Sequence, residues 1–125
     1  MDELLKKFRF KDKAIVIGAP GELQTLFKKA GFSFAFTREK SRNSLVFIHN
    51  HEEFLDFLKK GLKQIEPDSV LWFAYPKMTS KIKTDINRDS LRETGEAYGI
   101  TAVAAIAIDD TWSALRFRPV DRVGK

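Results

Sequence analysis

The chain of 125 residues contains no cysteine and only two histidines. The missing thiols exclude disulfides, thiolate nucleophiles and cysteine-ligated zinc or iron–sulfur centres. Long apolar runs are missing too, and none approaches the roughly 20 residues of a membrane span. The opening MDELLKKFRF is charged throughout and has neither the apolar stretch nor the small-residue cleavage site of a signal peptide, so a cytoplasmic protein with no membrane contact is expected. The phosphate-loop pattern GxxxxGK(S/T) is absent, and no internal repeat or low-complexity linker interrupts the chain.

What is present suits one compact core. An apolar fraction of 43%, with 11 phenylalanines, lets a chain of this length bury roughly two-thirds of its unfolded surface. A single domain over residues 1–125 is expected, with 1–12 as a flexible or short helical extension. The formal net charge is +5. Basic residues gather at Lys6, Lys7, Arg9, Lys11 and Lys13, at Arg38, Lys40 and Arg42, at Lys77, Lys81 and Lys83, and at the C-terminus, while residues 52–68 lean acidic. This balance fits phosphate-bearing partners, and it equally fits a basic cytosolic domain that binds no nucleic acid.

The hydrophobic pattern predicts alternating strands and helices. AIVIG at 14–18 reads as a strand buried on both faces. Pro20 then opens a helix whose Leu23, Leu26, Phe27 and Ala30 share one face and which Gly31 closes. FSFAF at 32–36 reads as a second strand, TREKSRNS as an exposed loop, and LVFIH at 45–49 as a third strand. Asn50 and Glu53 have capping-box spacing before a helix with Phe54, Leu55, Phe57, Leu58 and Leu62 on its apolar face. Pro67 and Asp68 precede the strand SVLWFAY, whose pairing should end at Pro76. A polar loop leads to a third helix between Asn87 and Tyr98, with Ser90 and Glu93 as an alternative start and Gly99 as its close. TAVAAIAI at 101–108 reads as a further buried strand, joined by DDT to WSALRFRP in an antiparallel hairpin.

This order predicts an α/β three-layer, Rossmann-like sandwich around a mostly parallel sheet of about six strands with a C-terminal antiparallel hairpin. In such sheets, ligands bind beyond the carboxyl ends of the strands. Residues 18–22, 49–51, 75–83 and 109–112 all follow strands expected to run parallel, so they should gather along one edge. The candidate ligand-binding set is therefore Gly18, Gly21, Asn50, Tyr75, Lys77, Thr79, Ser80, Lys81, Lys83, Asp109 and Trp112.

Each candidate has a plainer alternative. Lys77, Lys81 and Lys83, interleaved with Thr79, Ser80 and Thr84, suit a phosphate or carboxylate beside the third helix's N-terminus, and they equally suit a solvated loop. His49 and His51 are placed for proton transfer or a metal, yet lack an identifiable third ligand, so no metal is expected. Asp109 and Asp110 suit a general base, a cation ligand, or a turn with side-chain-to-backbone hydrogen bonds. Trp72 belongs in the core, whereas Trp112 shares one strand face with Ala114, Arg116 and Arg118. An arginine on an interior strand needs a partner, because an unpaired buried charge costs several kcal/mol or more.

WFAYPK, SKIKTDINRD and IDDTWSALRFRP resemble a small family of bacterial domains to which no reaction is assigned; the resemblance is looser from AIVIGAPGELQTLF onward and implies a shared fold and a bacterial origin. The topology is also similar to a reduced S-adenosylmethionine-dependent methyltransferase, whose C-terminal hairpin places its last strand inside the sheet. That resemblance implies a glycine-rich loop after the first strand and a carboxylate after the second. Here Pro20 interrupts IGAPGE, and Thr37 and Arg38 precede the first carboxylate, Glu39, so no cofactor is expected. The expected function is binding of a small anionic or nucleotide-like ligand at the strand-end edge. The alternatives are a nucleic-acid-binding accessory domain, a protein-interaction module, or a methyltransferase-like enzyme.

Overall fold

The computed structural model describes residues 2–123. Its elements are α1 (Asp2–Lys7), β1 (Ile15–Ile17), α2 (Gly21–Lys29), β2 (Ser41–Phe47), α3 (His51–Lys60), β3 (Ile65–Pro76), α4 (Arg88–Glu96), β4 (Ile100–Ala107) and β5 (Trp112–Pro119). The chain is an α/β protein built on one open five-stranded sheet of order β1-β2-β3-β5-β4. The β1–β2 and β2–β3 pairings are parallel, while β3–β5 and β5–β4 are antiparallel. The sheet is therefore mixed, which corrects the expectation of a mostly parallel sheet. The cause is the β4–β5 hairpin, whose second strand inserts between β3 and β4 and makes two pairings antiparallel.

The expected sixth strand, FSFAF, is absent. Only Ser33 bridges to Ile15, and Phe34 and Ala35 are exposed. Its aromatic alternation has another use. Phe32 packs with the apolar cluster on one face of the sheet and Phe36 with the cluster on the other, so the segment wraps the β1 edge instead of extending the ladder. The expected loop TREKSRNS also ends early, because β2 begins at Ser41. Its polar start is buried but satisfied: Ser41 Oγ lies 2.7 Å from Ser44 Oγ, and Asn43 Oδ1 accepts from Lys11 N at 2.9 Å. Backbone and hydroxyl partners thus let polar residues enter a strand that composition alone marks as loop.

Helix ends follow local chemistry. Asn50 caps α3 by accepting from Glu53 N at 2.9 Å. Asn87 and Ser90 cap α4 reciprocally, so Asn87 and not Ser90 is its start. On one sheet face, Phe54 and Leu58 of α3 and Leu91 of α4 pack on Val46, Phe73, Leu115 and Phe117. On the other, Leu23 and Phe27 of α2, with Phe8, pack on Val16, Leu45 and Trp72. Phe8 is fully buried, and its carbonyl accepts from Trp72 Nε1 at 2.8 Å. The N-terminal segment thus carries the short helix α1 and places Phe8 in the core.

TAVAAIAI is not a buried strand. Because β5 takes the interior place, β4 lies at the sheet edge, and Val103, Ala104, Ala105 and Ala107 are exposed. The second face is consequently covered over β1 to β3 and bare over β4. No helix among the described residues is long and apolar enough to cross a membrane.

Candidate functional site

Hydrogen bonds join three of the four strand-end loops, those following β2, β3 and β4. Thr84 Oγ1 donates to the His49 carbonyl at 2.6 Å, Asp85 Oδ1 accepts from His51 N at 2.8 Å, and Lys77 N donates to the Thr111 carbonyl at 2.8 Å. The His49 ring stands edge-on to Trp112 with centroids 5.3 Å apart. Gly18 has φ +76°, and a Cβ there would lie 3.1 Å from the Phe47 carbonyl oxygen, so this turn requires glycine.

Most polar groups of this edge are engaged with one another. Asn50 caps α3. Ser80 Oγ donates within its own loop, 2.7 Å from the Lys77 carbonyl. Asp109 Oδ1 accepts from both Thr111 N and Trp112 N at 2.8 Å, which is the turn arrangement. Trp112 is 1% exposed and belongs to the core. Tyr75 is buried too; desolvation pushes its hydroxyl above the ordinary value, and the charge and hydrogen bond of Arg88 oppose that shift. Gly21 opens α2 with free space about it. Thr79, Lys81 and Lys83 are exposed, Lys77 is half-buried, and none of the three lysines forms an ion pair among the described residues. His49 Nδ1 lies 3.1 Å from Glu53 and His51 Nε2 lies 3.1 Å from Thr94, and no cluster of three metal-ligating side chains occurs among the described residues.

A different constellation sits on the bare half of the second sheet face. A groove of about 760 Å³ runs between the end of α1 and strands β3, β5 and β4. Its floor is Trp72, Ala104 and Ile106, its rim is Lys6, Lys7 and Arg9, and Arg116 joins them from β5. Among the described residues no carboxylate lines it. The register explains the placement: Arg116 pairs with Trp72 on one side and Ala104 on the other, at the centre of the three strands. Trp72 holds Phe8 over β3, and the basic end of α1 is thereby fixed beside Arg116.

Arg116 is the unusual group. Its Nε is buried and has no hydrogen-bond partner among the described residues. Burial pushes the guanidinium below the ordinary arginine value, the like charges of Arg118 and Arg9 add to that, and Asp68 opposes it. A guanidinium stays protonated in a protein, so the strain is a standing demand for an acceptor. Asp68 does not meet it: its two oxygens bind Arg118, at 2.9 and 3.2 Å, and Arg116 Nε has no partner among the described residues. That pairing holds the Asp68 carboxyl below its usual range and raises Arg118.

The other grooves differ in character. One of about 190 Å³ at the start of β3 is lined mainly by apolar groups, including Ile65, Leu71, Ile100 and Phe117. One of about 410 Å³ between β1 and α3 carries Glu53 and Asp56 beside Lys60. The cationic groove lies away from the expected edge, yet two signals pointed to it: the basic start of the chain, and the shared strand face of Trp112, Ala114, Arg116 and Arg118. No family model, curated protein or solved structure matches the chain.

Proposed function

We propose that the protein binds a phosphate-bearing ligand of nucleotide size in the groove between the end of α1 and strands β5 and β4. One observation carries the reading: among the described residues, Arg116 brings a buried, unpartnered Nε to a groove with three further cations and no carboxylate. A guanidinium offers donors in a planar fork that matches a phosphate, and partial burial strengthens such charge-assisted bonds. The groove volume falls within the usual range for small-ligand sites. A cytoplasmic setting, where nucleotides and nucleic acids are available, belongs to this reading.

Thermal unfolding with ADP and with inorganic pyrophosphate tests it. At about 100 times its Kd a ligand of the native state contributes roughly 2.7 kcal/mol, which for a domain of this size raises the Tm by about 10 °C. The expected result is such a rise in the wild type and its loss in Arg116→Met, with the ligand-free Tm of the variant unchanged or higher. No rise with either compound overturns the reading.

The strand-end edge is the second reading for the same ligand class, favoured by the mutual contact of three of its four loops. Alanine at Lys77, Lys81 and Lys83 separates the two, since it leaves a groove-bound ligand in place.

We read the fold as a reduced, methyltransferase-like three-layer sandwich. The support is an antiparallel β5 inside the sheet and helices packed against both faces. The S-adenosylmethionine chemistry is not part of the reading. Pro20 offers no N–H at the turn after β1, and the segment after α2 carries Thr37 and Arg38 where a ribose-binding carboxylate is needed.

A further inference from the structure

We infer that the groove's occupant is an extended chain of phosphates, gripped through its charges and not through any bases it carries; this rests on the reading of the groove as an anion site. The cations do not stop at the groove. Arg116 and Arg118 are two residues apart on one face of β5, about 7 Å along the strand, and Arg122 lies in the short turn that follows. The Arg118 charge bears on Arg116, and those of Arg116 and Arg122 both bear on Asp68, so the three arginines form one cluster. With Lys6, Lys7 and Arg9 at the rim there are six cations in all, four of them lining the groove, while Arg118 lines the apolar groove at the start of β3. Five of them form no ion pair among the described side chains, and the sixth, Arg118, is held by Asp68. A single compact anion can satisfy Arg116 and its nearest neighbours, but it leaves Arg122, beyond the paired Arg118, without a partner. A chain of phosphates reaches it as well.

The floor sets the manner of binding. Ala104 is exposed and Ile106 half-buried, so the strip beside Arg116 is smooth and carries no acceptor or donor side chain. Trp72, the aromatic residue of the lining, is 1% exposed and edge-on to Phe8, which leaves no ring face for a base to stack on. Recognition of single strands ordinarily combines charge with stacking; here the charge acts alone. Affinity should therefore be indifferent to base identity and steep in salt. From β3 to β4 the floor spans two strand spacings, about 10 Å, which is the width of one chain and not of a duplex.

Fluorescence anisotropy with labelled 12-mer oligodeoxynucleotides of different base composition tests this, with ADP and inorganic polyphosphate as competitors. Five contacts on a single strand, one for each unpaired cation, give a slope of about −3.5 in log K against log salt, or a loss of about 130-fold between 50 and 200 mM. Arg122→Ala, outside the groove, should make the slope shallower by about 0.7. Polyphosphate should displace the oligonucleotide at phosphate concentrations where ADP does not. Equal competition by ADP, dependence on base composition, or a slope unmoved by Arg122→Ala overturns the extended chain while leaving the groove standing. If Arg116→Met binds the 12-mer as the wild type does, the groove reading itself is what fails.

Discussion

The strand-end edge and the bare half of the second sheet face contain similar kinds of residue in opposite conditions. At the edge, Asn50, Ser80, Thr84, Asp85 and Asp109 are hydrogen-bonded to backbone groups of the loops they join. On the bare face, among the described residues, Arg116 has a buried donor with no partner and Lys6, Lys7 and Arg9 stand beside it without ion pairs. Unusual residues gathered in sequence mark a folded turn as readily as a site. What distinguishes a binding surface is unsatisfied bonding capacity, because burying it unmatched destabilises the native state unless a ligand supplies the match.

The comparison breaks first at the packed core. Phe54 is fully buried against Phe73 and Phe117, with ring centroids at 4.9 and 6.0 Å. Phe54→Ala should cost about 3–5 kcal/mol in denaturant unfolding. Phosphate affinity at temperatures where the variant is folded should change little, since α3 lies on the opposite face. Next comes Arg116→Met, which keeps the volume and removes the buried donor. Anion affinity should fall tenfold or more in calorimetric titration, while unfolding stability holds or rises. A stability loss with unchanged affinity would make Arg116 a structural residue and erase the contrast between the regions.

Asp109→Ala sharpens the other side of the comparison. It removes the acceptor of two backbone N–H groups at the start of β5, and should cost about 1 kcal/mol with no change in anion affinity. The smallest effect is one of pH. Arg118 holds Asp68 below the usual carboxylate range, so the native state binds this proton less tightly than the unfolded chain does. The stabilisation is therefore present above the unfolded pKa and is lost as pH falls through the depressed native value. Asp68→Asn should flatten that acid limb in urea unfolding measured across pH 2 to 5, against the wild type as reference.

Much of the fold was legible in the residues. The periodicity from Phe54 to Leu58 behind the Asn50 cap gave α3, although Leu62 falls in a separate 3-10 turn beyond it, and VLWFAY ending at Pro76 gave the end of β3. The failures came where long-range packing overrides local pattern. FSFAF alternates like a strand, but its end aromatics anchor on opposite faces of the sheet. TAVAAIAI is as apolar as an interior strand, but the insertion of β5 left it at the edge. The same insertion made the site hard to see. Arg116 was recognisable as an arginine in need of a partner, yet only the register shows Ala104 and Trp72 beside it and the end of α1 above it. Sequence proximity to the strand ends drew attention to Lys77, Lys81 and Lys83, residues whose loop is organised by its own hydrogen bonds.

A titration of isotope-labelled protein with ADP, followed amide by amide in heteronuclear NMR spectra, tests the central claim most directly because it reports where the ligand lies. The account predicts saturable shifts at Lys6, Lys7 and Arg9 and around Ala104, Ile106 and Arg116, with residues 77–87 and 109–112 little changed. Shifts confined to those strand-end loops, with the groove silent, would contradict it.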